Sequence, residues 1–179
     1  MLRPPETFTT NRLTAQRPRV EDAAAAFAAY ANDPEVTRYL SWKAYDRVEP
    51  LADFFRARQE DWEKTGLHFT WLLRLRETQE VVGLIGCIPD GGKVTLGYVL
   101  GKKFWGRGLA TEVLRHLVAW LIAQPEIFRV WAYCDVENPA SARVMEKAGM
   151  TREGILRRWH VCPTIGPSLR DCTVCARVK

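Results

Sequence analysis

The stretch Trp105-Gly106-Arg107-Gly108-Leu109-Ala110-Thr111-Glu112 decides how this chain is read. It lies between a run of β-formers, Val94 to Leu100, and a long amphipathic stretch, Leu109 to Gln124. A strand, a glycine-rich turn and a helix in that order form an anion site. Small residues leave backbone N–H groups bare, and the start of a helix adds partial positive charge. Lys102, Lys103 and Arg107 cluster beside the turn and suit a phosphate-bearing small ligand.

Working outward toward the C-terminus, Leu109, Val113, Leu117 and Leu121 form an apolar stripe at four-residue steps, the mark of a helix packed on one face. Ile127 to Cys134 follows as a strand, parallel to the one before the helix in a right-handed crossover. Asn138-Pro139-Ala140-Ser141 opens a second helix, with Asn as cap and Pro in the first helical position. Gly149 closes it as a left-handed cap. Met150 to Val161 and Leu169 to Val178 read as a closing pair of strands.

Toward the N-terminus, Leu67 to Leu75, Val81 to Ile88 and Val94 to Leu100 form an antiparallel meander. Glu77-Thr78-Gln79 and Pro89-Asp90-Gly91-Gly92 punctuate it. Asn11 to Gln16 reads as the first strand, Val20 to Ala31 as a helix, and Val48 to Lys64 as another; a short helix is expected after Asp33-Pro34. The sum is a mixed α/β chain, one domain over residues 1–179. It has a mostly antiparallel sheet of seven strands, with helices on both faces.

The bulk numbers agree with one soluble domain and narrow its partners. With 179 residues and 47% hydrophobic composition the chain can bury a sizeable core. A net charge of +5 is mild, and no long basic face or aromatic–basic module points to nucleic acid. The longest strongly apolar run, Leu117 to Ala123, is too short for a bilayer. Met1-Leu2-Arg3-Pro4-Pro5 carries no apolar signal region, so a cytoplasmic location is expected and no membrane partner. Five scattered cysteines give no disulfide framework. Cys172-x-x-Cys175 has no second pair to complete a zinc site, and strand alternation points its two thiols to opposite faces. No metal is expected.

Two better-known phosphate motifs do not fit. Gly86 to Lys93 resembles a P-loop, but Lys93 is followed by Val94 in place of Ser or Thr; the segment reads better as a hairpin turn. Gly106 and Gly108 are followed by Thr111, where a dinucleotide fingerprint needs a third small residue, and they lie after an antiparallel meander.

The longer segment Leu96-Gly97-Tyr98-Val99-Leu100-Gly101-Lys102-Lys103-Phe104-Trp105-Gly106-Arg107-Gly108-Leu109-Ala110-Thr111-Glu112 resembles the acyl-CoA-binding motif of the Gcn5-related N-acetyltransferases. More narrowly, it is similar to the RimJ/RimL branch, which acetylates ribosomal-protein N-termini. Asp135-Val136-Glu137-Asn138-Pro139-Ala140-Ser141-Ala142-Arg143-Val144-Met145-Glu146-Lys147-Ala148-Gly149-Met150 resembles the next motif of that branch, and the order of elements agrees over nearly the whole chain. The family turn is written [QR]-x-x-G-x-[GA]. Gly108 and Ala110 occupy its last two small positions, and Trp105 stands at the Gln/Arg position. The resemblance implies a gap between the fourth and fifth strands that admits the pantetheine arm. It also implies that backbone amides of Trp105, Gly106, Arg107, Gly108, Leu109, Ala110 and Thr111 hold the CoA pyrophosphate. An amide at Val99 or Leu100 would bind the acetyl carbonyl, and Asn138 would contact the CoA arm. Homodimers occur in the branch.

Catalytic roles are less constrained. Ser141 would donate to the departing thiolate, with Tyr133 as a second candidate. A lysine-type amine has a pKa of ~10.4, so at neutral pH only about one in a thousand or fewer is ready to attack; an α-amine, at ~7.7–8.0, needs less help. Many relatives carry Glu where this chain has Thr95, so that base does not carry over. Glu137, Asp135, Asp90 and His68 are the remaining candidates. Tyr39 and Trp42, in the segment before the second helix, are expected to line the acceptor pocket. The function implied is acetyl transfer from acetyl-CoA to a primary amine, either a protein N-terminus or a small molecule. The rival is a non-catalytic acyl-CoA sensor, favoured by the missing carboxylate at Thr95.

Overall fold

The computed structural model describes residues 2–179. Its strands are β1 (Thr7–Thr9), β2 (Leu13–Gln16), β3 (Phe69–Leu75), β4 (Val81–Asp90), β5 (Lys93–Leu100), β6 (Arg129–Asp135), β7 (Thr151–Val161) and β8 (Leu169–Val178). They form one sheet in the order β1-β2-β3-β4-β5-β6-β8-β7. Every neighbouring pair is antiparallel except β5–β6. The helices are α1 (Ala23–Ala26), α2 (Glu49–Glu60), α3 (Leu109–Ile122) and α4 (Pro139–Lys147). A 3-10 turn (Val20–Asp22) and a π turn (Phe27–Ala31) flank α1, and a second π turn (Asp61–Thr65) extends α2.

Two expectations need correction. The sheet has eight strands, not seven, because the N-terminal segment folds back on itself as the β1–β2 hairpin. Asn11 and Arg12 make its turn: the Leu13 N–H donates to Thr10 Oγ1 at 3.2 Å, and the Thr10 N–H donates to the Leu13 carbonyl at 2.8 Å. The short helix expected after Asp33-Pro34 is a series of turns. There Asp33 Oδ1 accepts the Glu35 N–H at 2.8 Å, a local bond that competes with helical pairing.

Strand alternation sends side chains to two cores. Trp71, Leu73, Ile85, Leu96, Leu100, Ala132 and Cys175 pack under α3 and α4. Leu72, Leu84 and Val99 pack under α1 and α2 with Tyr30, Leu51 and Phe55. Each fully buried side chain of this size contributes about 1.5–3 kcal/mol. Gly91 and Gly92, both at positive φ, form the two-residue turn between Asp90 and Lys93; this is a hairpin geometry that glycine permits. The segment resembling a P-loop is therefore the β4–β5 turn.

The expected gap is present. β5 and β6 pair only at Lys93–Arg129, Val94–Val130 and Thr95–Trp131, then separate. The rest of β6 remains fully paired to β8, as far as Asp135 with Cys172. Counting the β1–β2 hairpin as two, the separated strands are the fifth and sixth.

Candidate active site

The glycine turn opens α3. Gly106 has φ 72° and Gly108, the residue before the helix, has φ 75°. These are conformations that strain other L-residues. No side chain caps α3, and among the described residues no acceptor meets the N–H groups of Gly106, Arg107, Gly108, Leu109, Ala110 or Thr111. The first amide engaged is that of Glu112, donating to the Gly108 carbonyl at 3.0 Å. A run of free donors at a helix start is a seat for an anion. The Leu109 side chain is buried, so that residue offers only its amide.

The turn is braced from the other end of the chain. Arg12 Nη1 donates to the Arg107 carbonyl at 2.8 Å, and its Nε donates to Glu112 Oε2 at 2.6 Å. The Arg12 N–H and the Thr10 hydroxyl both donate to Glu112 Oε1, at 2.7 and 2.6 Å. Burial alone would raise the Glu112 carboxyl; these bonds reverse that and hold it below its usual range. Beside the turn, a shallow cavity of about 550 Å³ is lined by Arg12, Gly108, Thr111, Arg115, His116 and Lys147. Trp105 is half-exposed and its indole N–H donates to the Leu100 carbonyl at 2.8 Å. The Arg107 guanidinium lies 5.7 Å from the Phe104 ring centroid.

The gap separates the two amides expected to bind the acetyl carbonyl. Gly101 donates its N–H to the Val82 carbonyl at 2.9 Å. Alternation along an antiparallel pair then turns the Val99 N–H toward β4 and those of Tyr98 and Leu100 toward β6. Since pairing with β6 stops at Thr95, the Leu100 N–H faces the gap. Val99 does not: its amide faces β4 and its side chain joins the core under α1 and α2.

Across the gap, Asn138 Oδ1 accepts the Ser141 N–H at 3.2 Å, the expected cap of α4. That leaves the Asn138 amide nitrogen as its free donor. Ser141 Oγ lies 2.7 Å from the Tyr98 hydroxyl, whose one proton can go to that oxygen or to the Ser141 carbonyl at 3.2 Å. Tyr98 was missed in the sequence. Its signal was there: a phenol at an inward-facing strand position needs a partner for its O–H. Burial pushes the phenol well above its usual range, more than the Ser141 bond lowers it, so Tyr98 stays neutral.

None of the other catalytic candidates is bonded to Ser141. Tyr133 alternates with the core residues Ala132 and Cys134, and its hydroxyl sits 3.3 Å from His160 Nδ1. It does not join Ser141. Glu137 Oε2 is bound by Arg170 Nη2 at 2.8 Å. The same guanidinium grips the fully buried Asp135 with two nitrogens, and the Glu137 N–H donates to Asp135 Oδ1 at 2.8 Å. Burial would raise the Asp135 carboxyl, but these partners hold it below its usual range. Asp90 pairs with Lys93 at 3.5 Å, at the closed end of the β5–β6 pair. His68 is pushed down to about 4 by burial and by Arg58. Arg58 can only donate, so it contacts Nδ1 as an acceptor and the proton sits on Nε2. A ring in that state offers a donor and is no base on that side.

Of the predicted acceptor residues, Trp42 stacks on Tyr45 with centroids 5.1 Å apart, packed against the core under α1 and α2. The Arg38 guanidinium lies 5.3 Å from the half-buried Tyr39 ring. The β7–β8 loop reaches this segment through Thr164, whose hydroxyl donates to the Thr37 carbonyl at 3.5 Å.

A bare-amide turn, a parted parallel strand pair and a capped second helix together repeat the geometry that the sequence motifs imply. The family model described as "Acetyltransferase (GNAT) domain" matches residues 12–151. The chain belongs to the acetyltransferase (GNAT) family. This acetyltransferase, an acetyl-CoA-dependent enzyme by family, is 30% identical over 163 residues to the N-acetyltransferase p20 of Bacillus licheniformis, covering 87% of this chain and 88% of that one. It is 31% identical to the N-acetyltransferase YoaA of Bacillus subtilis, covering 84% and 85%. In fold it is similar to the RimJ protein of Mycobacterium smegmatis, solved with a CoA disulfide, with TM-score 0.84, 20% identity, and 97% and 88% of the two chains covered. Among the described residues no group of His, Cys, Asp and Glu could hold a metal, and no helix is long and apolar enough to cross a membrane.

Proposed function

We propose that the protein transfers the acetyl group of acetyl-CoA to a primary α-amine, at a peptide N-terminus or on a small molecule of that kind, by direct attack. The observation that carries the reading is the run of unpartnered amides from Gly106 to Thr111 beside the β5–β6 gap. These amides would seat the pyrophosphate. The Asn138 amide nitrogen would contact the pantetheine arm, the Leu100 N–H would receive the carbonyl oxygen as negative charge develops, and Ser141 would donate to the sulfur. Tyr98 fixes the Ser141 hydroxyl at 2.7 Å and completes that donor pair.

The α-amine follows from the state of the carboxylates. Asp135 and Glu137 are both held by Arg170, Asp90 by Lys93, and Thr95 stands where relatives carry Glu. With each of these carboxylates paired, an acceptor that is about one-tenth neutral at pH 7 is favoured over a lysine-type amine that is below ~0.1% neutral. Isothermal titration with acetyl-CoA, followed by thiol release on a panel of α-amines and ε-amines, tests the reading. Micromolar binding with turnover on α-amines is expected. Binding without turnover on any amine would favour the second reading, a CoA sensor, for which the same bound carboxylates are the supporting observation.

A further inference from the structure

The face of the sheet that carries α1 and α2 is covered only in part. The row Leu72, Leu84 and Val99 lies under the helices. The next rows are outside that core: Gly86 beside Gly97, then Ile88 beside Thr95 beside Trp131. Ile88 is exposed, and a side chain at Gly97 would meet no atom within 4 Å. This open floor begins where β5 and β6 part, since Thr95–Trp131 is their last pair.

One wall of the floor is aromatic. The ring centroids of Trp131, Tyr133 and Trp159 are 5.9, 6.4 and 6.1 Å apart, with interplanar angles of 36°, 64° and 84°. His160 backs Tyr133 at 5.3 Å. Trp159 is 48% exposed and Trp131 and Tyr133 are partly so. Separations of this size mean that the rings touch one another, Trp159 edge to face with both neighbours and Trp131 tilted against Tyr133. Trp131, Tyr133 and Trp159 thus form one packed cluster. Charge argues against a polycation here. Asp135 and Glu137 are neutralised by Arg170, so the wall offers a polycation little. What it presents is an outer surface of flat, uncharged rings at the mouth of the gap.

We infer that this wall is a stacking platform for the acceptor, and that the acceptor is a primary amine bearing a flat aromatic or heteroaromatic group near its nitrogen. The inference rests on the acetyl-transfer reading for its chemistry but on the platform alone for its binding. Its test uses the full chain, saturating acetyl-CoA and thiol release, with L-phenylalaninamide, L-alaninamide and spermidine as acceptors. kcat/KM is expected to be highest for L-phenylalaninamide. Trp159→Ala is expected to lower the ratio of the two amides by about 3- to 10-fold, through KM and not kcat, and Trp159→Phe to restore most of it. Equal kcat/KM for the two amides, preference for spermidine, or a ratio unmoved in Trp159→Ala would overturn the platform. Should acetyl-CoA bind while no amine is acetylated, the catalytic reading fails and the platform is read by calorimetry of L-phenylalaninamide into CoA-loaded protein. Heat lost in Trp159→Ala and regained in Trp159→Phe supports it; no heat in the unaltered protein sinks it.

Discussion

The two halves of the β5–β6 pair behave differently. From Lys93 to Thr95 the strands are joined as a parallel ladder. From Leu96 onward they part, and what spans the gap is side-chain chemistry: the Tyr98 phenol reaching Ser141 on α4. The closed half needs no ligand. The open half leaves strand amides facing a space, beside a helix start that also lacks acceptors. A fold that leaves backbone donors unmet at one place, and pairs them two residues away, has put recognition there and structure in the adjoining half. The lesson is local: beside the gap, β6 stays paired to β8 with Arg170 on Asp135 at its end, and the turn after β5 is braced by Arg12.

Breaking that support should give the largest effect. Arg170→Met leaves the buried Asp135 carboxylate without its partner, a loss of about 3–5 kcal/mol in stability. Urea unfolding would measure it, and the loss should shrink toward the acid end, where Asp135 can protonate. The sign is fixed by the lowered carboxyl: its contribution is present above the unfolded value and fades as pH falls through the folded one. Next, Gly108→Val with Ala110→Val strains a left-handed position and crowds the bare amides. Acetyl-CoA should bind at least about tenfold more weakly by calorimetry, equivalent to about 1.4 kcal/mol. Tyr98→Phe sharpens the comparison from inside the gap. Losing one hydrogen bond costs about 0.5–1.5 kcal/mol, and steady-state rates should show a lower kcat with little change in KM for acetyl-CoA. The smallest effect belongs to His68. With its folded value near 4 and the usual value at 6.5, the unfolded chain takes up its proton first as pH falls. His68 therefore lowers stability progressively from pH 6.5 toward 4, then no further. His68→Gln should flatten the stability measured by urea unfolding over that window, by an amount screening keeps near ~1 kcal/mol. A variant as acid-sensitive as the parent would exclude His68 as the cause.

Much of this architecture was legible because it is local. The glycine turn, the Asn138 cap, the Gly91-Gly92 hairpin and the α3 stripe are each written within a few residues. The turn after Thr10 escaped because its partners include Glu112, about a hundred positions away. Separations of 95 and 35 positions hid the brace from Arg12 to Arg107 and the grip of Arg170 on Asp135. Tyr98 lay inside the quoted motif, yet its partner Ser141 lies 43 positions on, and only the gap brings them together. Tyr133 and Glu137 were sensible candidates by residue type. Alternation along β6 puts Tyr133 on the face away from Ser141, and Arg170 holds Glu137.

The outermost strand, β7, carries a last consequence. Its register with β8 breaks twice, between Arg152 and Gly154 and again between Leu156 and His160. Arg152, Arg157 and Arg158 line it. A straight, greasy rim would template another molecule and seed fibrils; a rim twice kinked and studded with guanidinium groups repels such growth. Exposed Trp159 can therefore sit on this border strand without offering a neighbouring molecule a straight edge to pair with.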